Sequence, residues 1–415
     1  MRLQARRRFF FCPIVSGGSS FPQFFICSYY RAPSRVKGVQ AVNEGQMLIQ
    51  GGTLVTSHGA KKADLWIKAG KICRLREEKL LMHRNAQPHE TSERIDASDY
   101  YILPGFIGMV HMQVNRMRSV SAYIQETRSY VAKGFTSIVD TIRLDDWMEG
   151  EQLLYQLTPH YNCSIDYAVQ LAIDARQFTP QIVREMGRYG FQLIQVTVRE
   201  EKEMDMIAWD ALYPLIHQYR MSLQLQIPPE CRRDRERAAI TEKWLADCRY
   251  GKVRTRVADV DPFAVMEREP FYHLALVGQE QCGRLFSHLM EHWYDNIPAF
   301  ASLDHLSLAG PVRQGPPEAW LSLVVRLAST NAAKAMGCYP LKGSLLPGAH
   351  ADLLFLKKSD WLTKFDLSTI LNGSEFCQFA WIMSNGRWIY RDGVHATHVG
   401  SGRHLRDLKP YNYVI

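Results

Sequence analysis

The chain has 415 residues, with 46% hydrophobic and 22% charged side chains, which is typical of globular proteins and enough for one large domain or two ordinary ones. Much of its net charge of +8 comes from residues 1–43, which hold seven basic and no acidic side chains, so the nearly neutral remainder argues against nucleic-acid binding. Nine cysteines without a Cys-x-x-Cys pair predict free thiols in a cytoplasmic protein. No apolar run reaches the length of about 18 residues that a membrane span needs.

Residues 1–46 differ from the rest of the chain and admit three interpretations. The arginines at 6–8 and the apolar residues after them resemble a secretory signal, although Pro13 interrupts a short apolar stretch. The acid-free composition also resembles a transit peptide, so a targeting segment is one possibility. A functional arm is the second, and an extension that the folded protein does not use is the third.

Short strands are predicted at both ends of the remaining chain. Alternation of apolar and polar residues indicates strands separated by turns at 48–56, 63–68, 71–75 and 94–103. Near the C terminus, residues 381–390 indicate a hairpin, because Asn385-Gly386 suits a tight type I′ turn.

Between these ends, apolar runs alternate with amphipathic stretches, which is the pattern of βα units in a parallel sheet. Candidate strands lie at 135–140, 164–173, 191–198 and 222–227. A helix is predicted over residues 326–337.

The most informative motif is Leu-Pro-Gly-Phe-Ile at 103–107, which Gly-Met-Val-His-Met follows at 108–112. It resembles the first barrel strand of the cyclic amidohydrolases, the dihydropyrimidinases, hydantoinases, allantoinases and dihydroorotases, which continue with Asp-x-His-x-His. The segments 328–334 and 342–355 also resemble this group. The resemblance covers residues 47–405, and members commonly begin at the position of residue 47, which favours an unused N-terminal extension.

The resemblance implies an α/β fold in two parts. A TIM-type (β/α)8 metal-dependent hydrolase barrel is expected over residues 104–341. Residues 47–103 and 342–405 are expected to form a small β-sandwich, and residues 406–415 a tail. The interval from 226 to 304 is short for the group, so one barrel unit is expected to be shortened.

Enzymes of this group hold two metal ions, which lower the pKa of a bridging water to about 7 and polarise the amide carbonyl. Their ligands are two first-strand histidines, a carboxylated lysine, two more histidines and an aspartate. Alternate residues of a strand share a face, so Val110 and Met112 stand where the first-strand histidines are expected. Gln195 stands in place of the lysine, and the strand expected to end in the next histidine holds Gln224 and Gln226, while the last histidine has no recognisable counterpart. The segment 164–173 resembles the Asp-Tyr-x-x-His strand of hydantoinases, with Gln170 in place of its histidine. No bound metal is therefore expected.

The aspartate position alone keeps a metal-binding side chain. Ser-Leu-Asp-His-Leu at 302–306 resembles the Asp-His-Ala-Pro segment of the group, which makes Asp304 a vestigial catalytic residue. Neutral amides at the mouth of a barrel satisfy polar neighbours without a buried charge. The predicted ligand-binding residues are Gln195, Gln224, Gln226, His305 and Asn331.

The leading hypothesis is a non-catalytic pseudoenzyme that acts through assembly or ligand binding, as the collapsin response mediator proteins of this group do. Expected partners are another copy of the chain, an active paralogue, or a small cyclic amide or nucleobase-like ligand. One alternative is a divergent hydrolase of cyclic amides with a single zinc held by His111, Asp304 and His305. A second is a small-molecule sensor. His-x-x-Glu-His at 288–292 also matches a zinc motif, but the apolar residues around it favour an amphipathic helix.

Overall fold

The computed structural model describes residues 46–77, 93–110, 112, 119–144, 155, 157–228, 234–258, 273–276, 299–300, 317–359, 379–396 and 398–407. The predicted residues His111, Asp304 and His305, and the motif at 288–292, lie outside this part of the chain. No described helix is long and apolar enough to cross a membrane.

The described strands, in chain order, are β1 Met47–Thr56, β2 Gly59–Lys68, β3 Lys71–Glu77, β4 Glu93–Asp96, β5 Tyr100–Pro104, β6 Phe106–Val110, β7 Phe135–Arg143, β8 Asp166–Asp174, β9 Leu193–Thr197, β10 Ser222–Gln226, β11 Thr255–Ala258, β12 His273–Leu276, β13 Ala299–Phe300, β14 Leu353–Lys357, β15 Trp381–Ser384, β16 Arg387–Arg391 and β17 Val394–His395. The described helices are α1 Val120–Ala132, α2 Pro180–Tyr189, α3 Glu201–Met204, α4 Trp209–Gln218, α5 Asp234–Tyr250, α6 Pro317–Val325 and α7 Asn331–Ala335. A π-helical turn, Arg326–Thr330, joins α6 to α7.

Strands from the two ends of the chain lie in one sheet. Its order is β17-β16-β15-β14-β5-β1-β2-β3, with β4 paired to β1. The antiparallel pairing of β5 with β14 joins the N-terminal strands to the C-terminal strands. The segments expected to form a β-sandwich are thus joined by hydrogen bonds into one sheet of nine described strands rather than two separate sheets.

Side chains of this sheet alternate between two hydrophobic cores. On β14, Leu353 and Phe355 pack within the nine-stranded sheet's own core. Leu354 and Leu356 pack on the other side, in a cluster that also holds residues of α1 and α6. Because successive strand residues point to opposite faces, the apolar run of β14 is buried on both sides and holds the sheet against the helices.

The other sheet is parallel and follows chain order from β6 to β13, with described α-helices after β6, β8, β9 and β10. Eight parallel strands in sequential order are the arrangement of a TIM-type α/β fold. The short interval between 226 and 304 does not cost the sheet a strand, since β11, β12 and β13 all lie there, although β13 has only two residues.

Two hydroxyl groups of the π-helical turn bind the connections that precede β6 and β14. Ser329 Oγ donates to the carbonyl of Gly105 at 2.8 Å, and Thr330 Oγ1 donates to the carbonyl of Gly343 at 2.8 Å. A Cβ at residue 343 would lie 2.5 Å from the Ser329 carbonyl oxygen, so only glycine allows this approach. The segment that resembles the amidohydrolases at 328–334 therefore has a structural role.

A buried ion cluster links the two sheets. Lys342 Nζ lies 2.6 Å from Asp166 Oδ2 at the start of β8 and also pairs with Asp352 before β14. The Asn385 side chain donates to Asp166 at 2.8 Å, and its backbone N–H donates to Asp352 at 2.7 Å. His350 Nδ1 lies 2.7 Å from Asn385 Oδ1. Residues from the barrel, the connecting segment and the β15–β16 hairpin thus share one network.

The charges in this cluster depend on one another. Burial alone would raise the pKa of Asp166, but the Lys342 ammonium and several hydrogen bonds hold the pKa below its usual value. Burial alone would lower the pKa of Lys342, but the two carboxylates raise it. Removal of one partner would therefore leave an uncompensated charge in a dry environment.

We expect Lys342→Met to lower the free energy of unfolding by about 3–5 kcal/mol, because two buried carboxylates lose their counter-charge. Urea denaturation followed by circular dichroism measures the loss. Lys68→Met is the matched control, since Lys68 is exposed at the end of β2 and should change stability by no more than about 0.5 kcal/mol. Equal effects of the two substitutions would contradict the role given to the cluster.

His404 is a second buried titratable group near the start of β8. Its ring contacts Tyr167 edge-on, with ring centroids 5.2 Å apart, and its Nδ1 accepts the Arg406 N–H at 3.1 Å. Burial, followed by the charges of Arg406 and His160, lowers the pKa of His404 to about 3. The folded protein therefore keeps this imidazole neutral at pH values where the unfolded chain takes up a proton.

We predict that stability falls as the pH drops from about 6.5 toward 3, by at most about 1.4 kcal/mol per pH unit from this group. The unfolded chain binds the proton in this window and the folded chain does not, so acid favours unfolding. His404→Asn keeps an acceptor for the Arg406 N–H but cannot titrate, and its urea midpoint should fall less steeply over the same range. Parallel curves for the two proteins would refute the assignment.

Candidate functional site

The inner face of the barrel sheet is defined by the side chains that point away from α2, α4 and α5. Ile194, Val196, Leu223, Leu225 and Val257 pack in the hydrophobic cluster that contains those helices. The residues between them on β9, β10 and β11 therefore lie on the inner face.

Three glutamines form a connected polar layer on this inner face. Strand pairing places Gln195 opposite Gln224. Gln170 Nε2 donates to Gln195 Oε1 at 3.0 Å and lies 3.5 Å from Thr141 Oγ1. Gln224 Nε2 donates to the same Gln195 oxygen at 3.4 Å. Gln195 is thus a shared acceptor that orients both neighbouring amides.

This arrangement leaves two amide oxygens free to accept hydrogen bonds. Gln170 and Gln224 are buried, and their Oε1 atoms have no hydrogen-bond partner in the described part of the chain. A buried polar atom without a partner costs free energy, and such atoms mark sites where another group is expected. The layer therefore offers two acceptors to a ligand with N–H groups.

Arg256 continues the polar layer on the next strand. Strand pairing places it opposite Gln224, and its side chain is fully buried. Its Nη1 lies 3.4 Å from the sulfur of Met336, whereas its Nε and Nη2 have no hydrogen-bond partner among the described residues. Burial, with a smaller effect of the nearby Arg254, lowers the pKa of Arg256 to about 9, so the guanidinium still carries its charge at neutral pH.

The side chains of β6 that point to the inner face are not the ones expected from the sequence. Its pairing with β7 shifts register just after Phe106. Beyond the shift, Met109 lies opposite Val139, and both pack in the cluster that holds inner-face residues such as Leu193. Val110 lies opposite Asp140, on the other side of the sheet.

The placement of Val110 and Met112 therefore corrects the sequence-based expectation. Both side chains are buried in the cluster that contains Tyr123 and Tyr130 of α1, on the helix-facing side of the sheet. They do not line the face that carries Gln195. Side chains of β6 alternate without interruption, with Phe106 and Val110 on the helix-facing side and Ile107 and Met109 on the inner side. The motif places Val110 and Met112 on one face but does not determine which face that is.

Asp140, His160 and Tyr123 form a buried polar group on the helix-facing side. Asp140 Oδ2 lies 3.3 Å from His160 Nε2, and His160 Nδ1 lies 2.8 Å from the Tyr123 hydroxyl. Asp140 Oδ1 accepts the N–H of Met112 at 3.0 Å and so fixes the backbone just beyond β6. Burial raises the pKa of the neighbouring Cys163 thiol to about 11, which leaves it protonated, as expected for a structural cysteine.

Two other predicted residues lie within the described part of the chain. Gln226 ends β10 and is half-buried, two residues beyond Gln224 on the same face. Asn331 is buried at the start of α7, and its neighbours Ala332 and Ala333 belong to the inner cluster. The structure thus brings Gln195 and Gln224 together and adds Gln170 and Arg256. Gln170 was identifiable from the sequence, because it replaces a histidine of the hydantoinases, whereas no motif pointed to Arg256.

These residues do not fit the metal pair of the amidohydrolases. The described residues contain no group of three or more histidine, cysteine, aspartate or glutamate side chains that could hold a metal ion. Zinc sites require imidazole, thiolate or carboxylate ligands, whereas the described inner face of β9, β10 and β11 carries carboxamides and a guanidinium. A fixed positive charge in the same layer also opposes the binding of a divalent cation.

No family model matches the chain. A D-phenylhydantoinase of Escherichia coli (strain SE11) is 32% identical over 98 residues, which are 23% of this chain and only 20% of the length of that relative. The match to this curated relative therefore spans about a fifth of its length, and it leaves the activity of the whole protein open.

Solved structures match much more of the chain. A dihydropyrimidinase from Brevibacillus agri NCHU1002 has a TM-score of 0.63 and 16% identity over 87% of this chain and 98% of its own. An L-hydantoinase from Arthrobacter aurescens has a TM-score of 0.60 and 16% identity over 86% and 99% of the two chains. The chain therefore has the fold of hydantoinases and dihydropyrimidinases, and the resemblance predicted from residues 103–107 is confirmed at the level of the fold.

We expect Gln195→Met to lower the free energy of unfolding by about 1–3 kcal/mol, because the buried amides of Gln170 and Gln224 lose their shared acceptor. Methionine has a similar length and no carboxamide. Gln50→Met is the matched control on an exposed position of β1 and should have an effect below about 0.5 kcal/mol. Equilibrium urea titrations of both variants test the prediction, and equal stability would show that the amide layer is not coupled.

Proposed function

We propose that this protein is a non-catalytic member of the hydantoinase-like fold that binds a small planar amide, ureide or nucleobase-like molecule on the inner face of its barrel sheet. The observation that carries the proposal is the polar layer of Gln170, Gln195, Gln224 and Arg256. It occupies strands on which the amidohydrolases place metal ligands, and its side chains are not the ligands that zinc sites use.

The chemistry of this layer suits recognition better than hydrolysis. Without a metal ion, water keeps a pKa near 15.7 and is a weak nucleophile at neutral pH. The free oxygens of Gln170 and Gln224 accept hydrogen bonds from ligand N–H groups, and Arg256 donates to ligand oxygens. A flat molecule with adjacent N–H and C=O groups matches both kinds of partner.

Assembly is the second part of the proposal. The resemblance to the amidohydrolases implies oligomers, and we infer that the chain associates with copies of itself or with a metal-bearing paralogue. In the second case the non-catalytic chain would support an active one. Light scattering of the purified chain, alone and mixed with such a paralogue, distinguishes the two kinds of assembly.

A divergent hydrolase is the other candidate, and the sequence match to the D-phenylhydantoinase favours it. In that case Asp304 serves as the base, and His111, Asp304 and His305 hold a single zinc ion. That arrangement predicts metal-dependent turnover, which the non-catalytic proposal excludes.

We expect protein purified without chelators to contain less than about one equivalent of zinc, manganese or iron, because the inner face offers neutral amides in place of imidazoles. It should not hydrolyse dihydrouracil, hydantoin, allantoin or dihydroorotate. Elemental analysis and an assay for ring opening measure the two properties, with an authentic hydantoinase as the positive control.

Two equivalents of metal, or ring opening that a chelator abolishes, would overturn the non-catalytic proposal. About one equivalent of zinc, together with turnover that Asp304→Asn removes, would establish the divergent hydrolase instead. Neither result depends on the identity of the natural ligand.

A further inference from the structure

Arg256 has an unusual environment for a charged side chain. It is fully buried on the inner face, and no described carboxylate forms an ion pair with it. Buried charges are normally paired, because removal of an ion from water costs several kcal/mol that only a counter-charge and hydrogen bonds offset. An arginine kept in this position without a partner indicates that an anion is expected there.

The pattern of free atoms on the guanidinium specifies how that anion binds. Nη1 is turned toward the Met336 sulfur at 3.4 Å. The two free nitrogens are Nε and Nη2, whose N–H bonds lie along the same edge of the guanidinium. This edge donates two parallel hydrogen bonds and matches the two oxygens of a carboxylate.

The neighbouring amides define the rest of the ligand. Gln224 lies opposite Arg256 on the adjacent strand, and its free Oε1 accepts a hydrogen bond but cannot donate one. The free Oε1 of Gln170 lies in the same connected layer. A ligand that satisfies the layer therefore needs an anionic group at one end and N–H donors at the other.

We propose that Arg256 anchors the carboxylate of a small ligand, through its Nε and Nη2 edge, while the amide N–H groups of that ligand face Gln224 and Gln170. This inference rests on the proposed ligand-binding function and narrows it from planar amides in general to those that carry a carboxylate. Arg256 was not predicted from the sequence, because the sixth barrel strand has no recognisable motif.

Dihydroorotate and dihydrouracil provide a matched test, since they share the ring and differ by one carboxylate. By isothermal titration at low salt, dihydroorotate should bind the protein about 10- to 100-fold more tightly than dihydrouracil, as expected for a charge-assisted bidentate hydrogen bond. Arg256→Met should remove this preference, and Arg256→Lys should retain part of it. Arg254→Met is the control, because Arg254 is an exposed arginine two residues earlier in the chain.

Thermal stability supplies a readout that does not require a ligand. If the counter-charge of Arg256 comes from a ligand, Arg256→Met removes an unpaired buried charge from the ligand-free protein. The melting temperature of the variant should then equal or exceed that of the parent protein. A marked fall, or a variant that does not fold, would show that Arg256 is paired within the protein and would overturn the inference.

The binding outcomes separate this inference from the function on which it rests. Equal affinity for the two compounds, unaffected by Arg256→Met, would overturn the carboxylate anchor and leave ligand binding intact. Failure of both compounds to bind would also overturn it. Metal-dependent ring opening would instead overturn the non-catalytic function, whatever the role of Arg256.

Discussion

The ion cluster around Lys342 is the constraint on which the arrangement of the two sheets depends. One buried ammonium is shared by Asp166, at the start of β8, and by Asp352, before β14. Each charge can remain buried only because its counter-charge is present. Separation of the barrel sheet from the nine-stranded sheet would therefore expose a charge to water or leave it buried without a counter-charge. Since Gln170 lies four residues after Asp166 on the same strand and face, the cluster also fixes where the polar layer begins.

The inner face shows how a barrel of this kind can keep polar character without a metal. In the amidohydrolases a cation pair polarises both water and substrate. Here the positive charge is a guanidinium, which donates hydrogen bonds and leaves water unactivated. Gln195 joins its neighbours through one oxygen, so the amides are oriented before any ligand arrives. Such preorganisation lowers the entropic cost of binding and favours recognition of one ligand shape.

Much of the fold was predictable because it follows from local patterns. The alternation at 48–56 and 63–68 matches β1 and β2, and the apolar run at 164–173 matches β8. The Asn385-Gly386 turn was predictable as well, since both residues have positive φ values, of 50° and 74°, as a type I′ turn requires. The glutamines of the polar layer were identifiable because they interrupt otherwise apolar strands at positions where the resemblance places metal ligands.

The sequence by itself determined the α/β character, the parallel sheet and the amide chemistry of the inner face, because these depend on residue type and on a period of two or of 3.6 residues. Only the tertiary structure decided which face of β6 points inward. Val110 packs toward α1 while Ile107 and Met109 pack on the inner face, and the alternation of the motif does not reveal which of its two faces lies inward. The role of Arg256 also became apparent only from the tertiary structure. In the sequence it looks like any surface arginine, whereas in the fold it is buried and its Nε and Nη2 have no hydrogen-bond partner among the described residues.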